Sequence, residues 1–136
     1  MIGVGAEDGL WTVTLNRPDK ANALTRDMLT ALDSAVVQAA DAGARALILT
    51  GTGKVFSAGA DLDQARAGLA VDPLWDQVSN RIAALPCLTI CALNGTLAGG
   101  AFGMALACDL RLAVPGASFF YPVMRLGYLP QPADPG

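Results

Sequence analysis

The sequence predicts an α/β fold whose strands run largely parallel. Two short uncharged runs, 46–51 and 88–93, are typical of strands that are buried on both faces of a sheet. Before the first run and between the two runs lie segments with apolar residues three and four positions apart, which is the pattern of amphipathic helices. Because a helix between two strands returns the chain to the starting end of the sheet, this alternation predicts parallel strand pairing.

The first part of the chain predicts one strand and one helix. Residues 10–15 alternate between two faces, as a half-buried strand does, and the segment 16–18 with its proline ends the strand. Thr25 is suited to cap the N-terminus of a helix that runs to about Ala42. Gly43 follows directly and is expected to end that helix.

The rest of the chain continues the alternation and forms one domain. In order, it predicts a strand over 45–51, a loop, a helix from about Pro73, a strand over 88–93 closed by the turn pair Asn94-Gly95, a helix over 104–109 and a strand over 110–114. No linker is rich enough in proline, glycine or serine to separate two domains. We therefore expect residues 1–136 to belong to a single domain.

Composition excludes several classes of protein. With 53% hydrophobic and 15% charged residues, the chain is more apolar than a lone domain needs, which favours a subunit of an oligomer. A net charge of −3 and the lack of any basic cluster argue against nucleic acid as a partner. The chain has no histidine, so triads with a histidine base and HExxH zinc sites are excluded.

The three cysteines are predicted to be core thiols rather than ligands or disulfides. Cys87, Cys91 and Cys108 have apolar neighbours and lack the spacing of metal ligands, so we expect no metal and a reducing compartment. The N-terminus lacks the basic and apolar regions of a signal peptide, which favours a cytoplasmic location.

One uncharged stretch, 86–108, is long enough to raise the alternative of a membrane-spanning helix. Pro86, the Asn94-Gly95 turn and the glycines that follow would interrupt such a helix. A strand, a turn and a helix fit these residues better, so no membrane association is expected.

Two glycine-containing loops, 50–62 and 94–103, each follow a predicted buried strand. In parallel sheets, ligands gather at the carboxyl ends of the strands. Glycines at a helix start leave backbone N–H groups accessible, and two such groups from separate loops would form an oxyanion hole. The other interpretation is that the glycines only permit tight turns and close helix packing.

Three segments resemble the leading signatures of the enoyl-CoA hydratase/isomerase (crotonase) family. They are "LNRPDKANALT", "GTGKVFSAGADL" and "ALNGTLAGGAFGMALACDLRLA", in the family's order and together spanning nearly the whole chain. The resemblance implies a crotonase-like spiral of ββα units that binds an acyl-CoA thioester. Family members continue into further helices, so the chain is expected to contain the spiral core at 1–136 without the C-terminal helical region.

The resemblance also implies which residues meet the substrate. In the family, the thioester oxygen lies between two backbone amides, which correspond here to those of Ala58 and Gly100. Coenzyme A enters as part of the substrate, and no prosthetic group is implied. The residues corresponding to the coenzyme A path are Ala58, Gly59, Ala60, Asp61, Leu62 and Gly100, with Lys20 and Ala21 beside its chain. Lys20 is interpreted either as a phosphate contact or as a solvated turn lysine.

The sequence departs from the hydratases of this family at two positions. Those enzymes carry one glutamate in the glycine-rich helix and another in a later segment, and the corresponding residues here are Gly103 and Val123. Neither side chain can transfer a proton, so the two-glutamate hydration mechanism is not expected. Tyr121 and Tyr128 flank the second position, and each is interpreted either as a proton donor or as a packing residue.

The remaining polar and aromatic candidates are interpreted as structural. Asp109 is predicted to cap local backbone, Asp63 to be an exposed acid at a helix start, and Trp75 to lie in the core or an interface. Arg17 and Asp19 are interpreted as turn residues only.

The resemblance thus predicts an enzyme that stabilises a thioester enolate or oxyanion with backbone amides. Lyase, isomerase, decarboxylase and thioesterase activities stay open. The resemblance further implies fatty acid metabolism and a homo-oligomer, either a trimer or a dimer of trimers. The alternative function is that of a catalytically silent subunit that binds acyl-CoA.

Overall fold

The computed structural model describes residues 1–120, so the predictions for Tyr121, Val123 and Tyr128 fall outside the described residues. The helices are α1 (Arg26–Asp41), α2 (Leu62–Arg66), α3 (Leu74–Ala83) and α4 (Ala101–Ala107), and 3₁₀ turns lie at Pro18–Lys20 and Leu69–Val71. The strands are β1 (Ile2–Glu7), β2 (Leu10–Leu15), β3 (Ala46–Gly51), β4 (Val55–Ser57), β5 (Leu88–Leu93), β6 (Thr96–Ala98), β7 (Leu110–Ala113) and β8 (Phe119–Phe120).

Pairs of strands followed by helices repeat along the chain and build two sheets. The larger sheet has the order β1-β2-β3-β5-β7, and the smaller has the order β4-β6-β8. Only the β1–β2 pair among these described strands is antiparallel, and the others pair in parallel. From β3 onward, the first strand of each pair enters the larger sheet and the second enters the smaller sheet. The predicted α/β fold with largely parallel strands is confirmed.

Most predicted elements are present, and four strands were missed. Thr25 caps α1 as expected, because its side-chain oxygen accepts a hydrogen bond from the Met28 amide at 3.1 Å. The missed strands are β1, β4, β6 and β8. Strands β4 and β6 have three residues each, which is too short for an alternating pattern to stand out from the surrounding glycines.

The core lies between the larger sheet and the helices. Helix α1 buries Met28, Leu29, Leu32, Ala35, Val36 and Ala39, and α3 buries Trp75, Val78, Ser79 and Ile82. Helix α3 lies between α1 and α4 and packs on both. Trp75 is only 2% exposed, which confirms its predicted place in the core.

The cysteines are free thiols. Cys91 and Cys108 are buried and Cys87 is half-buried. A hydrogen bond with Cys108, together with burial, raises the pKa of the Cys91 thiol, so this group stays protonated. In the described residues, no three histidine, cysteine or acidic side chains gather in a way that could hold a metal ion.

The uncharged stretch 86–108 is divided between elements, as the breakers in the sequence predicted. It forms β5, β6 and α4, and α4 has seven residues. Within residues 1–120, no helix combines the length and the apolar character needed to cross a membrane.

Candidate active site

The two glycine loops meet at the carboxyl ends of β4 and β6. A Cβ atom placed on Gly59 would lie 3.2 Å from Gly99 Cα and 3.3 Å from the Gly100 nitrogen. A Cβ atom placed on Gly99 would lie 3.3 Å from Gly59 Cα. The loops therefore pack backbone against backbone, and glycine at both positions permits this approach. Parallel pairing of β4 with β6 places both loops at the same edge of the smaller sheet.

The backbone amides of the segment 58–61 differ in whether they donate a hydrogen bond to another described residue. Three of the four donate to neighbouring oxygens, and the pairs are Ala58 N with Ala21 O at 3.0 Å, Gly59 N with Ser57 Oγ at 3.1 Å, and Asp61 N with Leu24 O at 2.9 Å. The Ala60 amide donates to no residue between 1 and 120. The assignment of Ala58 as an oxyanion donor is thereby corrected, because its N–H group is already bonded. Ala60 supplies the accessible amide.

Pairing with Leu24 explains why Ala60 is the accessible one. Leu24 forms a parallel bridge opposite Ala60, donating to Gly59 O at 2.7 Å and accepting from Asp61 N at 2.9 Å. Successive peptide groups in an extended chain face opposite sides. Since the groups flanking Ala60 face Leu24, the N–H of Ala60 itself is directed away from Leu24. Leu24 is fully buried, so this pairing is held by the core.

Gly100 provides a second accessible amide from the other loop. It is the N-cap residue of α4, and its N–H group donates to no other described residue. The first amides of a helix lack partners within the helix, so this group is suited to an anionic oxygen. A Cβ atom on Gly100 would lie 3.2 Å from two ring carbons of Trp75. The Trp75 ring is in turn fixed by a 2.8 Å hydrogen bond from its Nε1 to Leu69 O.

Asn22 braces the loops around the site, and the sequence analysis missed it. Its Nδ2 donates to Thr52 O at 3.0 Å and to Val55 O at 2.8 Å, and its Oδ1 accepts from the Arg17 amide at 2.8 Å. The Ser57 hydroxyl donates to the Asn22 carbonyl at 2.9 Å. Asn22 is fully buried and has a φ of 52°, a left-handed conformation that asparagine tolerates better than most residues. The brace fixes the segment that leads into the amides of 58–61.

Asp61 caps α2 and pairs with Arg17, so the interpretation of Arg17 as a turn residue only is wrong. The Asp61 carboxylate accepts from the Gln64 amide at 3.1 Å and from Arg17 Nη1 at 3.0 Å. The same Arg17 nitrogen donates to Ala23 O at 3.0 Å. The bond from the Gln64 amide, followed by that from Arg17, lowers the pKa of the Asp61 carboxyl.

The lowered pKa of Asp61 predicts a pH-dependent contribution to stability. A carboxyl group whose folded-state pKa lies below its unfolded value stabilises the fold above the unfolded pKa, about 4, and loses that contribution as pH falls. We expect Asp61→Asn to lower the melting temperature at pH 7, and we expect its difference from the wild type to be smaller at pH 3, because the contribution of Asp61 is lost as pH falls through its lowered pKa. Thermal melts across this range measure the difference. Asp63→Asn is the control, because Asp63 is 95% exposed and should change neither melt. An equal loss for Asp61→Asn at both pH values would contradict the expectation.

Lys20, Ala21 and Leu62 were also assigned to the coenzyme A path, and the Ala21 carbonyl accepts a hydrogen bond from the Ala58 amide at 3.0 Å. Lys20 is exposed in the first 3₁₀ turn, and Leu62 is 73% exposed at the start of α2. Ala21 has a φ of 52° and borders an open cavity of about 310 Å³. The cavity is lined by Pro18, Ala21, Asn22, Thr52, Gly53, Lys54 and Val55.

The structure shows the positions of Asp109, Asp63 and Gly103, and the first two had been interpreted as structural. Asp109 Oδ2 accepts from the Thr89 amide at 3.0 Å, and Thr89 Oγ1 accepts from the Asp109 amide at 2.9 Å. The role of Asp109 is structural, as predicted, but the backbone it bonds belongs to the start of β5 and is not local in sequence. Asp63 lies in the first turn of α2 and is exposed, as predicted. Gly103 is buried on α4, one turn after Gly100.

The fold and the paired amide loops agree with a match to a known family. The family model described as enoyl-CoA hydratase/isomerase matches residues 5–133. The chain belongs to the enoyl-CoA hydratase/isomerase family. The crotonase resemblance found in the three sequence signatures is thus confirmed, and the repeated ββα units are those of a crotonase-like spiral.

This chain is similar along most of its length to named relatives and to solved structures. A probable enoyl-CoA hydratase of Mycobacterium tuberculosis is 34% identical over 127 residues, covering 93% of this chain and 52% of the relative. The 1,2-epoxyphenylacetyl-CoA isomerase of Escherichia coli is 34% identical, covering 91% of this chain and 51% of the relative. An enoyl-CoA hydratase structure from Mycobacterium avium subsp. paratuberculosis has a TM-score of 0.86 at 32% identity, covering 96% of this chain and 53% of that chain. The chain spans about half the length of the curated relatives it matches.

Proposed function

We propose that this family member is an enzyme that processes acyl-CoA thioesters. The thioester oxygen would accept hydrogen bonds from the amides of Ala60 and Gly100. The observation that carries the proposal is that these two unbonded amides lie on loops in backbone contact at the carboxyl ends of neighbouring parallel strands. The names of the relatives, which include a hydratase and an isomerase of CoA thioesters, support the same substrate class.

The two amides suit a reaction that develops charge on the thioester oxygen. Removal of a proton or of carbon dioxide next to a thioester leaves an enolate, whose charge resides largely on that oxygen. Donors that are already oriented stabilise the transition state more than the substrate, and losing one costs roughly 3 kcal/mol. Since Ala60 is oriented by its pairing with Leu24 and Gly100 by packing on Trp75, neither needs to reorganise during the reaction.

Coenzyme A would lie along the segments that lead to these amides. Residues 58–62 would line one side of the path, with Lys20 and Ala21 beside the chain. The exposed ammonium group of Lys20 is available for a phosphate, and the exposed Leu62 offers an apolar surface to the adenine ring.

The two-glutamate hydration of enoyl-CoA is not the reaction we propose. Glycine at position 103 has no group that can deliver a proton to the substrate. Decarboxylation or thioester hydrolysis needs less from the two missing glutamates than hydration does. Decarboxylation in particular forms the enolate without a base.

Binding and turnover can be measured separately to test this proposal. We expect titration calorimetry to detect binding of crotonyl-CoA, malonyl-type and aryl CoA thioesters, and the enoyl absorbance of crotonyl-CoA to stay constant. Turnover of at least one thioester in the panel is expected. Absence of binding to every CoA ester would overturn the proposal. Tight binding without any turnover would favour the alternative function, a catalytically silent acyl-CoA-binding subunit.

We further propose that the protein works as a homo-oligomer in the cytoplasm, as a trimer or a dimer of trimers. Strand β7 supports association, because its four residues are exposed and Leu110 and Leu112 are 50% and 62% accessible. Free thiols among the described residues fit a reducing compartment. Analytical ultracentrifugation measures the oligomeric state, and a monomer at micromolar concentration would contradict it.

A further inference from the structure

The segment 61–75, which we term the linking segment, connects the two proposed donors. It begins directly after Ala60 and includes α2, the second 3₁₀ turn and the start of α3. It ends at Trp75, whose ring carbons lie 3.2 Å from the position of a Gly100 Cβ atom. A movement of the linking segment at its α3 end would therefore reach the backbone of Gly100.

Asp72 attaches this end of the linking segment to two helices. Its Oδ1 atom accepts a hydrogen bond at 2.8 Å from the amide of Leu74, the first residue of α3. Its Oδ2 atom lies 2.6 Å from Nη1 of Arg26, the first residue of α1. The Asp72 carbonyl also accepts from the Trp75 amide at 3.4 Å. One carboxylate thus joins the start of α1 to the start of α3, three residues before the ring that contacts Gly100.

The Trp75 ring is fixed once the start of α3 is fixed. The residue is 2% exposed, and its Nε1 donates to Leu69 O at 2.8 Å within the linking segment. The Arg26 amide donates to Gln64 Oε1 at 2.7 Å, so the linking segment contacts the start of α1 at a second point. A buried, hydrogen-bonded indole offers a rigid surface, and Gly100 lies directly against it.

The Gly100 amide needs such a support because Gly99 and Gly100 have more backbone freedom than other residues. Backbone contact with Gly59 restrains this pair on one side, and the Trp75 ring restrains it on the other. A hydrogen-bond donor stabilises a developing oxyanion most when it is already oriented before the reaction. The contact with Trp75 is therefore a condition for an effective donor at position 100.

We propose that Asp72 is a positioning residue of the oxyanion hole, an inference that rests on the proposed function. Its carboxylate holds the start of α3 against α1. The Trp75 ring then stays against Gly100 and keeps that amide aligned with the thioester oxygen. Asp72 touches no substrate and acts only through the geometry of the donor.

Loss of this support should lower kcat more than it changes KM. We expect Asp72→Ala to lower kcat by about 10- to 100-fold for a thioester that the wild type turns over, with KM nearly unchanged. Asp72→Asn and Arg26→Gln remove the ion pair but keep an acceptor for the Leu74 amide, so each should lose less kcat, by similar amounts. Arg26→Lys keeps the positive charge and should retain the wild-type kcat.

The fluorescence of Trp75 measures the position of its ring without any thioester. The chain has two tryptophans, so Trp11→Phe leaves Trp75 as the only emitter. In that background, acrylamide should quench the emission more strongly in Asp72→Ala than in its parent, because the ring leaves its buried place against Gly100. Arg26→Gln should change the quenching in the same direction.

Asp33→Ala is the matched control, because Asp33 also joins α1 to α3. It does so through Arg81 Nε at 2.6 Å and Gln77 Nε2 at 3.0 Å, and both partners lie beyond the linking segment. The side chain of Asp33 is 15% exposed and that of Asp72 is 21% exposed. Asp33→Ala should therefore melt at lower temperature, as Asp72→Ala does, while its kcat and the quenching of Trp75 stay at wild-type values.

The results separate the role of Asp72 from the proposed function. Wild-type kcat in Asp72→Ala, unchanged quenching of Trp75, or an equal loss of kcat in Asp33→Ala would overturn the role of Asp72 alone. If Asp72→Ala does not fold, the same criteria apply to Asp72→Asn and Arg26→Gln. A wild-type protein that binds no thioester, or binds thioesters without turnover, would overturn the proposed function and the role of Asp72 with it.

Discussion

Replacing Gly95 by alanine is expected to cost on the order of 3 kcal/mol of unfolding free energy. A Cβ atom at this position would overlap the carbonyl oxygen of Lys54 and would lie 2.6 Å from the Lys54 carbonyl carbon. Both atoms belong to backbone, so no rotamer change relieves the contact. Urea denaturation of the purified protein measures the loss, as a lower midpoint with a similar slope.

The Lys54 backbone cannot move away easily because Asn94 holds the loop in which it lies. Asn94 Nδ2 donates to Gly53 O at 2.9 Å and to Val55 O at 3.1 Å. The matched control is Gly5→Ala, since a Cβ atom on Gly5 in β1 has no neighbour within 4 Å. That variant should be as stable as the wild type or slightly more stable. Equal stability of the two variants would show that the loop adapts.

Gly59→Ala is expected to reduce kcat/KM for the preferred acyl-CoA by about 100-fold or more. The added methyl group would lie 3.3 Å from the Gly100 nitrogen and 3.2 Å from Ala98 O and Gly99 Cα. It would obstruct the approach of an oxygen to the Gly100 amide and force the two loops apart. Steady-state kinetics on a thioester that the wild type turns over measures the effect.

The stability change in Gly59→Ala must be separated from the catalytic change, because Gly59 has a φ of +96° that alanine adopts at a cost. Gly68→Ala is the matched control. Gly68 has a φ of +109° and open space around its Cβ position, so alanine there meets similar backbone strain away from the site. Both variants should melt at lower temperature, and only Gly59→Ala should lose turnover. Retained turnover in Gly59→Ala would argue against Gly100 as an oxyanion donor.

Local signals in the sequence predicted the parts of the fold that depend on neighbouring residues. Thr25 could be recognised as a cap because the amide it accepts from lies three residues away. The strand 88–93 could be recognised because its run is short, uncharged and mostly apolar. Strands β4 and β6 owe their existence to pairing with each other across the chain. A strand of three residues beside glycines is too short to show an apolar pattern that would indicate it in the sequence.

The assignment within the first glycine loop shows where sequence reasoning ends. The family resemblance located the segment 58–61, but the choice of the free amide depends on Leu24, which pairs with the residues on either side of Ala60. A partner so distant along the chain leaves no local signature. The same holds for Asn22, whose side-chain hydrogen bonds reach residues 52 and 55.

Because both proposed donors are main-chain groups, almost no amino-acid replacement can delete them. Only proline removes a peptide N–H, so selection on oxygen binding acts on the residues that shape the backbone, such as Gly59 and Trp75. Side chains that do not shape this backbone can change without deleting either donor. One inherited frame for holding a thioester oxygen can therefore serve descendants that move protons in different ways, which is how a single lineage can contain both hydratases and isomerases.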